Sequence, residues 1–285
     1  MSGFDYHRPE SLEDAFRLKS EQPDARFIAG GTDVMVRIRE GRLRPPALIS
    51  LSRVQELSGI RHGDEIQIGA MTRVAELLRD EELGRSAPVL ALAARTLGGM
   101  QIRNLATVGG NLCNASPCAD TAPPLLVLDA RVVVRSPGSE RELPLADFFV
   151  APGETRIGEG EIVSELRFRR PHMRTRATFF KKSRVRMDIA IASLAVRVDM
   201  DGKRCVAARL AAGSVAPRPM RLPRAEALLE GRDITAELLD ELGTVAAAEV
   251  QPMTDVRSTE AYRRHVIGVF ARRALAQLSG LEEAR

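Results

Sequence analysis

The chain of 285 residues has no tryptophan, and aromatic residues make up only 4% of it. Single-stranded nucleic acids are bound largely by stacking their bases on aromatic side chains, so this scarcity argues against such a surface. The 42 basic and 38 acidic residues leave a net charge of only +4. A nucleic-acid-binding protein would carry a clustered basic footprint instead. We therefore expect no nucleic-acid partner.

Long apolar runs and cysteines are also scarce. No stretch approaches the roughly 18 apolar residues that a membrane-spanning helix needs. The N-terminal residues Met1-Ser2-Gly3-Phe4-Asp5 do not form the apolar core of a signal peptide. The three cysteines are an odd number without the spacing of a disulfide framework, which is typical of a reducing compartment. We expect a cytoplasmic protein without a membrane span.

Metal-ligating patterns are missing as well. The four histidines are scattered, and none lies beside another histidine or a carboxylate at metal-ligand spacing. Cys113 and Cys118 have a spacer typical of iron–sulfur ligands, but two thiolates cannot complete a four-ligand cluster. Cys205 lies far along the chain. We predict no metal site and interpret the cysteines as small structural thiols.

Two glycine pairs are the most informative features that are present. They occur in Ala29-Gly30-Gly31-Thr32-Asp33 and in Thr107-Val108-Gly109-Gly110-Asn111, about eighty positions apart. Glycine has no side chain to block a phosphate, and it reaches positive φ, which lets successive N–H groups point into one concavity. Each pair alone fits a tight turn equally well. Together, flanked by small polar residues, they favour a ligand with two phosphates.

The context of the first pair supports this interpretation. Ser11-Leu12-Glu13-Asp14 reads as a capping box that opens a helix to about Lys19. The apolar run Arg26–Ala29 then predicts a short strand that ends on the glycines. Thr32 or Asp33 can cap a following helix. No G-x-G-x-x-G turn and no G-x-x-x-x-G-K-[ST] loop is present, so a Rossmann site and a P-loop have little support.

The segment after the second pair is rich in Asn, Ser, Pro and Asp, and Asn111–Pro124 is predicted to be an ordered loop. Asp120 within it is either a helix cap or a carboxylate that accepts hydrogen bonds from hydroxyl groups. No Ser/His/Asp or Cys/His pattern suggests a nucleophile, and we assign no catalytic residue. A bound cofactor that carries the chemistry explains this combination.

The remaining pattern predicts an α+β protein with a boundary near residue 172. Ile162–Phe168 alternates like a strand and is stopped by Arg169-Arg170-Pro171. Beyond it we predict a strand, a hairpin with a turn at Asp199–Gly202, and three helices.

Four stretches together resemble the FAD-binding medium subunit of the molybdenum hydroxylases, the family of xanthine dehydrogenase and aerobic carbon monoxide dehydrogenase. They are Ala29–Asp33, Gln101–Leu112, Ser116-Pro117 with Asp120–Pro123, and Phe180-Lys181 with Met187–Ala190. The resemblance implies a two-lobed FAD-binding domain of the p-cresol methylhydroxylase (PCMH) type over residues 1–172, with lobes of about 1–55 and 56–172. A smaller C-terminal α+β domain of the CO dehydrogenase flavoprotein type would occupy residues 173–285, with a three-stranded sheet and helices.

The resemblance also implies where FAD binds, without a covalent link. The two glycine segments would hold its pyrophosphate and ribityl parts, and a lysine would lie near its ring system. The spacing between the lysines and Asp188 leaves Lys181 or Lys182 open for that role. The implied contacts are Arg26, Phe27, Ile28, Ala29, Gly30, Gly31, Thr32, Asp33, Val34, Leu97, Gly98, Thr107, Gly109, Gly110, Asn111, Asn114, Asp120, Ile162, Val163 and Lys181.

The family assignment implies an electron-transfer subunit. Electrons would pass from [2Fe–2S] clusters of a small partner subunit through FAD to NAD⁺ or another acceptor. The substrate site would lie with the molybdenum cofactor on a large subunit, in a dimer of heterotrimers. The chain lacks the cysteine-bearing insertion of the benzoyl-CoA reductase branch, so clusters are expected only in partners. The alternatives are a self-sufficient FAD-dependent oxidoreductase of the PCMH-type fold and a flavin-free scaffold subunit.

Overall fold

The computed structural model describes residues 3–281, which form short helices and strands in an α+β arrangement. The helices are α1 Leu12–Glu21, α2 Val34–Arg39, α3 Val74–Arg79, α4 Glu81–Ser86, α5 Pro88–Thr96, α6 Met100–Arg103, α7 Val108–Cys113, α8 Ala122–Val127, α9 Leu145–Phe148, α10 Pro223–Leu229, α11 Ala236–Glu249 and α12 Glu260–Ser279. The strands are β1 Asp5–His7, β2 Arg26–Ile28, β3 Ala47–Ser50, β4 Ile60–Arg61, β5 Glu65–Gly69, β6 Arg131–Ser136, β7 Ser139–Pro144, β8 Phe149–Ala151, β9 Glu154–Thr155, β10 Ile162–Arg169, β11 Thr175–Lys182, β12 Ala192–Asp201, β13 Arg204–Gly213 and β14 Met220–Arg221.

Two larger sheets and the two-stranded sheet β8-β9 make up the described N-terminal part. The first is parallel, with strand order β1-β3-β2, and its last strand in the chain ends at Ser50. The second begins at Ile60 and is antiparallel, with strand order β4-β5-β10-β6-β7. The first glycine pair directly follows β2, so the small parallel sheet positions it.

Side-chain caps determine where two helices, α1 and α7, begin. Ser11 accepts a hydrogen bond from the Asp14 backbone N–H and begins α1, as the capping pattern predicts. The second glycine pair, in contrast, lies inside a helix. Thr107 caps α7, and its side-chain oxygen accepts from the Gly110 N–H at 3.1 Å. The prediction of a loop over 111–124 is therefore wrong at both ends. At α7, a cap and tertiary packing outweigh the helix penalty of about 1 kcal/mol per glycine. At α8, the prolines lie in the first turn of the helix, where proline is tolerated.

The C-terminal part is built on an antiparallel sheet with order β11-β12-β13-β14. Sequence analysis predicted three strands here, and the described residues contain a fourth, β14. That strand has only two residues, Met220–Arg221, which is too short to leave a periodic signal. The predicted hairpin is β12 and β13, with Ala195 opposite Ala211.

This sheet is buried on both faces, and its residues alternate between two cores. Phe179, Ala195 and Ala211 pack into the core of the N-terminal part, where α5 and α8 contact the sheet. Leu194 and Val196, the neighbours of Ala195, pack into a second core with α11 and α12. Because successive strand residues point to opposite faces, one sheet closes both cores. The junction between the two parts is therefore a packed core.

A buried arginine fastens α12 to this sheet. The Arg263 side chain is only 4% exposed. Its guanidinium donates to the carbonyl oxygens of Ile191 at 2.6 Å and Ser214 at 2.8 Å, and to the Asp255 carboxylate at 2.7 Å. A buried charge is tolerated only when it is paired and hydrogen-bonded, and this arginine satisfies both conditions.

Candidate functional site

A cavity of about 670 Å³ is lined by both glycine segments. Every residue that the resemblance implies as an FAD contact lines it, except Ile28 and Lys181. Its volume lies within the range of cofactor and ligand pockets, about 300–1,000 Å³. Lining residues that sequence analysis did not assign are Arg37, Leu51, Ala70, Met71, Ile102, Ala106, Cys113, Ser116, Cys118, Ala119, Gly153, Ile157, Glu161, Met187, Asp188 and Ile189.

The first glycine segment presents free backbone donors to this cavity. The N–H groups of Gly31, Thr32 and Asp33 make no hydrogen bond to any of residues 3–281. Gly31 has φ +72°, a left-handed conformation that favours glycine. Gly30 is required for a different reason, because a Cβ atom there would overlap the carbonyl oxygen of Leu105. One glycine therefore shapes the loop, and the other lets the two segments pack together.

The second glycine segment has its backbone donors satisfied internally. Gly109 N–H donates to Ala70 O at 2.9 Å, and Asn111 N–H donates to Thr107 O at 3.0 Å. A Cβ atom on Gly109 would lie 2.5 Å from the Ala70 Cβ, so this glycine permits close packing. The two glycine pairs look alike in sequence but differ in structure. The first has N–H groups without an internal partner, and the second seats α7 against Ala70, the residue directly after β5.

Side chains join the two segments across the cavity. The Arg37 guanidinium in α2 donates to the Asn114 side-chain oxygen at 2.7 Å. The Asn111 side-chain oxygen accepts from the Thr121 hydroxyl at 2.6 Å, which leaves the Asn111 amide nitrogen without a partner among the described residues. Sequence analysis did not assign Arg37 to the site. Its position one helical turn beyond Asp33 places both residues on the same face of α2, and that spacing could have identified it.

A buried ion pair lies behind one wall of the cavity. Asp120 Oδ2 accepts from Lys181 Nζ at 2.7 Å, and the two side chains are 8% and 3% exposed. The Asp120 Oδ1 atom is buried and has no hydrogen-bond partner among the described residues. Burial raises the pKa of Asp120 to about 6, against the opposing effect of the Lys181 charge. Asp120 is not a helix cap, since Thr121 occupies that position before α8.

The corner at Leu97 and Gly98 is held by another arginine. The Arg103 guanidinium donates to the carbonyl oxygens of Leu97 at 3.2 Å and Gly98 at 2.7 Å. Gly98 has φ +49°, which places it in the left-handed region. The corner faces the cavity, so α6 fixes part of its wall.

Two carboxylates that line the cavity, Glu161 and Asp188, are paired with arginines that do not line it. Hydrogen bonding to Arg141 is the main cause that holds the pKa of Glu161 below its usual range. Arg184 acts in the same way on the pKa of Asp188, with side-chain atoms 2.7 Å apart. The segment containing Asp188 belongs to the stretches that carry the family resemblance, and that signal could have placed it at the site.

We expect Gly31→Ala to destabilise the folded chain by about 1–2 kcal/mol, because an L side chain at φ +72° is strained. Urea unfolding followed by circular dichroism measures this difference. Gly63→Ala is the matched control, since the nearest atom to its Cβ would be Glu65 O at 3.4 Å, and Gly63 is not in the left-handed region. Equal midpoints for the two variants would contradict the assigned role of Gly31.

We also expect Asp120 to give the ligand-free chain an unusual pH dependence. Its pKa in the folded state, about 6, lies above the ordinary value of about 4, so folding favours the protonated form. The contribution to stability is therefore present below pH 4 and is lost as the pH rises to about 6. The difference in unfolding free energy between wild type and Asp120→Asn, measured across this range, should fall with rising pH. A constant difference would contradict the prediction.

The fold and the cavity define a class, an α+β protein with a cavity of cofactor size lined by two glycine segments. The family model described as the FAD binding domain in molybdopterin dehydrogenase matches residues 2–171, and the CO dehydrogenase flavoprotein C-terminal domain matches residues 177–278. The chain therefore belongs to the family of FAD-binding medium subunits of the molybdenum hydroxylases, which are oxidoreductase subunits. The predictions of the family and of the α+β fold class are confirmed.

The proteins that this chain resembles are similar to it over nearly the whole length of both chains. The chain is 31% identical to the xanthine dehydrogenase FAD-binding subunit of Escherichia coli O157:H7, covering 95% of this chain and 94% of that protein. It is 31% identical to the carbon monoxide dehydrogenase medium chain of Afipia carboxidovorans, covering 95% of each. Its structure matches a solved carbon monoxide dehydrogenase chain from Hydrogenophaga pseudoflava with a TM-score of 0.94 and 30% identity, covering 98% of both chains.

Two further findings concern residues 3–281 only. Within that range, no helix is both long enough and apolar enough to cross a membrane. The same residues contain no group of three or more His, Cys, Asp or Glu side chains positioned to hold a metal ion.

Proposed function

We propose that this chain binds FAD non-covalently in the cavity and passes electrons from an iron–sulfur partner to NAD⁺ or another acceptor. One observation carries the proposal. A single cavity joins free backbone donors of Gly31, Thr32 and Asp33 with a buried, unpartnered acceptor at Asp120. These are the groups that a pyrophosphate and a hydroxyl-bearing chain require.

The residues of the first segment fit the anionic part of the cofactor. Three consecutive N–H groups lack an internal partner and are available to phosphate oxygens. Arg26 and Arg37 line the same cavity and supply positive charge. Charge-assisted hydrogen bonds of this kind are about twice as strong as neutral ones. We propose that the pyrophosphate binds here.

The opposite wall fits the remainder of the cofactor. Asp120 presents a carboxylate oxygen that can accept from a hydroxyl group, and Asn111 presents a free amide nitrogen. Ile162 and Val163 are buried apolar residues of β10 at the cavity and suit an aromatic ring. Bound FAD would accept and release electrons, and the protein would orient it and exclude water. We keep the implied contacts with Leu97 and Gly98 as part of this proposal, and we keep Lys181 close to the site without a direct contact, because it does not line the cavity.

The partners follow from the relatives, two of which are named as a subunit and a medium chain of larger enzymes. We propose a small subunit with [2Fe–2S] clusters and a large subunit with the molybdenum cofactor, assembled as a dimer of heterotrimers. The substrate would bind on the large subunit. We further propose a cytoplasmic location, domain limits at 1–172 and 173–285, and lobes of about 1–55 and 56–172.

Purification of the native complex tests this function. Flavin, iron and molybdenum should be present in a fixed ratio to this chain. After anaerobic reduction with dithionite, the flavin absorbance should return on addition of NAD⁺, a quinone or oxygen, and the fastest of these identifies the acceptor class. Substrate oxidation by the chain alone would favour the self-sufficient oxidoreductase. A chain that takes up no FAD would favour the scaffold.

A further inference from the structure

Lys181 crosses the junction between the two parts of the molecule. It lies on β11, the first strand of the C-terminal sheet, yet its ammonium group contacts two N-terminal elements. It donates to Thr96 O, at the end of α5, at 3.0 Å, and to Asp120 Oδ2 at 2.7 Å. The side chain is 3% exposed and does not line the cavity. A direct contact with a cofactor is therefore not its role in this geometry.

Asp120 is the group through which Lys181 reaches the cavity. One carboxylate oxygen accepts from the lysine, and the other is buried at the cavity wall without a donor. A buried acceptor that lacks a donor is costly, and the cost is removed when a ligand supplies one. Lysine holds the carboxylate in the one orientation that leaves Oδ1 for the ligand.

The electrostatic surroundings of Asp120 are simple. Burial among the elements packed against it disfavours the charged carboxylate, and Lys181 on β11 is the charged group in the described chain that opposes this effect. No other charged side chain among residues 3–281 contributes to the pKa shift of Asp120. The charge of Asp120 therefore depends on whether Lys181 is in place.

We propose that Lys181 is a positioning residue that acts through Asp120 and makes FAD binding depend on the docking of the C-terminal sheet and on pH. This inference rests on the proposed function. A donor group of the flavin would hydrogen-bond to Oδ1 and favour the ionised carboxylate. The ionised carboxylate in turn strengthens the contact with Lys181 and so tightens β11 against α5. Because linkage is reciprocal, loosening this contact weakens FAD binding.

The first test measures FAD affinity of the flavin-depleted full chain by fluorescence between about pH 5 and 8. Wild-type affinity should rise as the pH passes through about 6, where Asp120 ionises. Lys181→Met should weaken FAD binding at pH 7 by about 10-fold or more. Without the lysine, Asp120 loses the hydrogen bond that holds its carboxylate in the orientation for the ligand. The same substitution should raise the pH at which FAD affinity increases; this increase is called the pH step below. Asp120→Asn should abolish the step.

Two further variants serve as controls. Lys182→Met removes the neighbouring, exposed lysine and should leave affinity and pH profile unchanged. Lys181→Arg keeps the charge and should restore part of the affinity. If Lys181→Met does not fold, the double variant Lys181→Met/Asp120→Asn carries no uncompensated charge. It should bind FAD weakly and without a pH step.

Hydrogen exchange of β11 gives a readout that does not depend on activity. FAD should slow exchange in Thr175–Lys182 of the wild type and have little effect there in Asp120→Asn. A folded Lys181→Met chain with wild-type affinity and pH profile would overturn the inference while leaving the proposed function intact. A wild-type chain that binds no FAD would overturn both.

Discussion

Replacing Gly110 by valine should weaken FAD binding by the purified chain at least about fivefold. A Cβ atom at this position would lie 2.8 Å from the Thr107 Oγ1 and 3.4 Å from the Ala29 Cβ. The two methyl groups of valine would therefore force the two glycine segments apart. Overpacking of this kind costs about 1–3 kcal/mol, and 1.4 kcal/mol corresponds to a factor of ten in affinity.

Flavin absorbance per chain, measured after gel filtration, gives the FAD content. Gly84→Val is the matched control, because a Cβ atom on Gly84 in α4 meets nothing within 4 Å. Circular dichroism and a thermal melt establish that both variants fold. A folded Gly110→Val chain with normal flavin content would contradict the assignment of the cavity between the glycine segments.

Arg263→Met should lower the free energy of unfolding by about 2–6 kcal/mol, because two buried carbonyl oxygens each lose a donor at a cost of about 1–3 kcal/mol. The substitution removes three hydrogen bonds and leaves the carbonyl oxygens of Ile191 and Ser214 without their buried donor. Methionine fills similar space, so the loss reports the polar contacts rather than a cavity. Urea unfolding of the flavin-loaded chain measures the change.

Arg272 provides the control on the same helix. Its side chain is 47% exposed, and its pair with Asp240 at 3.0 Å is exposed as well. Such surface pairs contribute about 0–1 kcal/mol, so Arg272→Met should cost little. Similar losses for the two arginine variants would show that Arg263 does not fasten α12 to the sheet.

The sequence predicted those parts of the fold that local rules determine. The cap at Ser11 and the hairpin of β12 and β13 depend on residues close together in the chain, and both are present. The helix α7 could not be predicted, because its glycines disfavour a helix unless Gly109 packs against Ala70. Such packing joins segments distant in sequence and leaves no local pattern.

In the site, too, local sequence predicted some features, and others depend on contacts between distant segments. The glycine pairs located the cavity, but their different roles depend on which N–H groups find internal partners. The pairing of Asp120 with Lys181 joins residues 61 positions apart on different parts of the molecule. Resemblance to a family marked both residues, and only the structure shows that one acts on the other.

The absorption spectrum of the purified full chain, with the mass of any released chromophore, tests the central claim most directly. The account predicts flavin bands, release of intact FAD on denaturation, and about one FAD per chain, because residues of this chain line the cavity and the proposed binding is non-covalent. A colourless chain that stays colourless after incubation with FAD would contradict it.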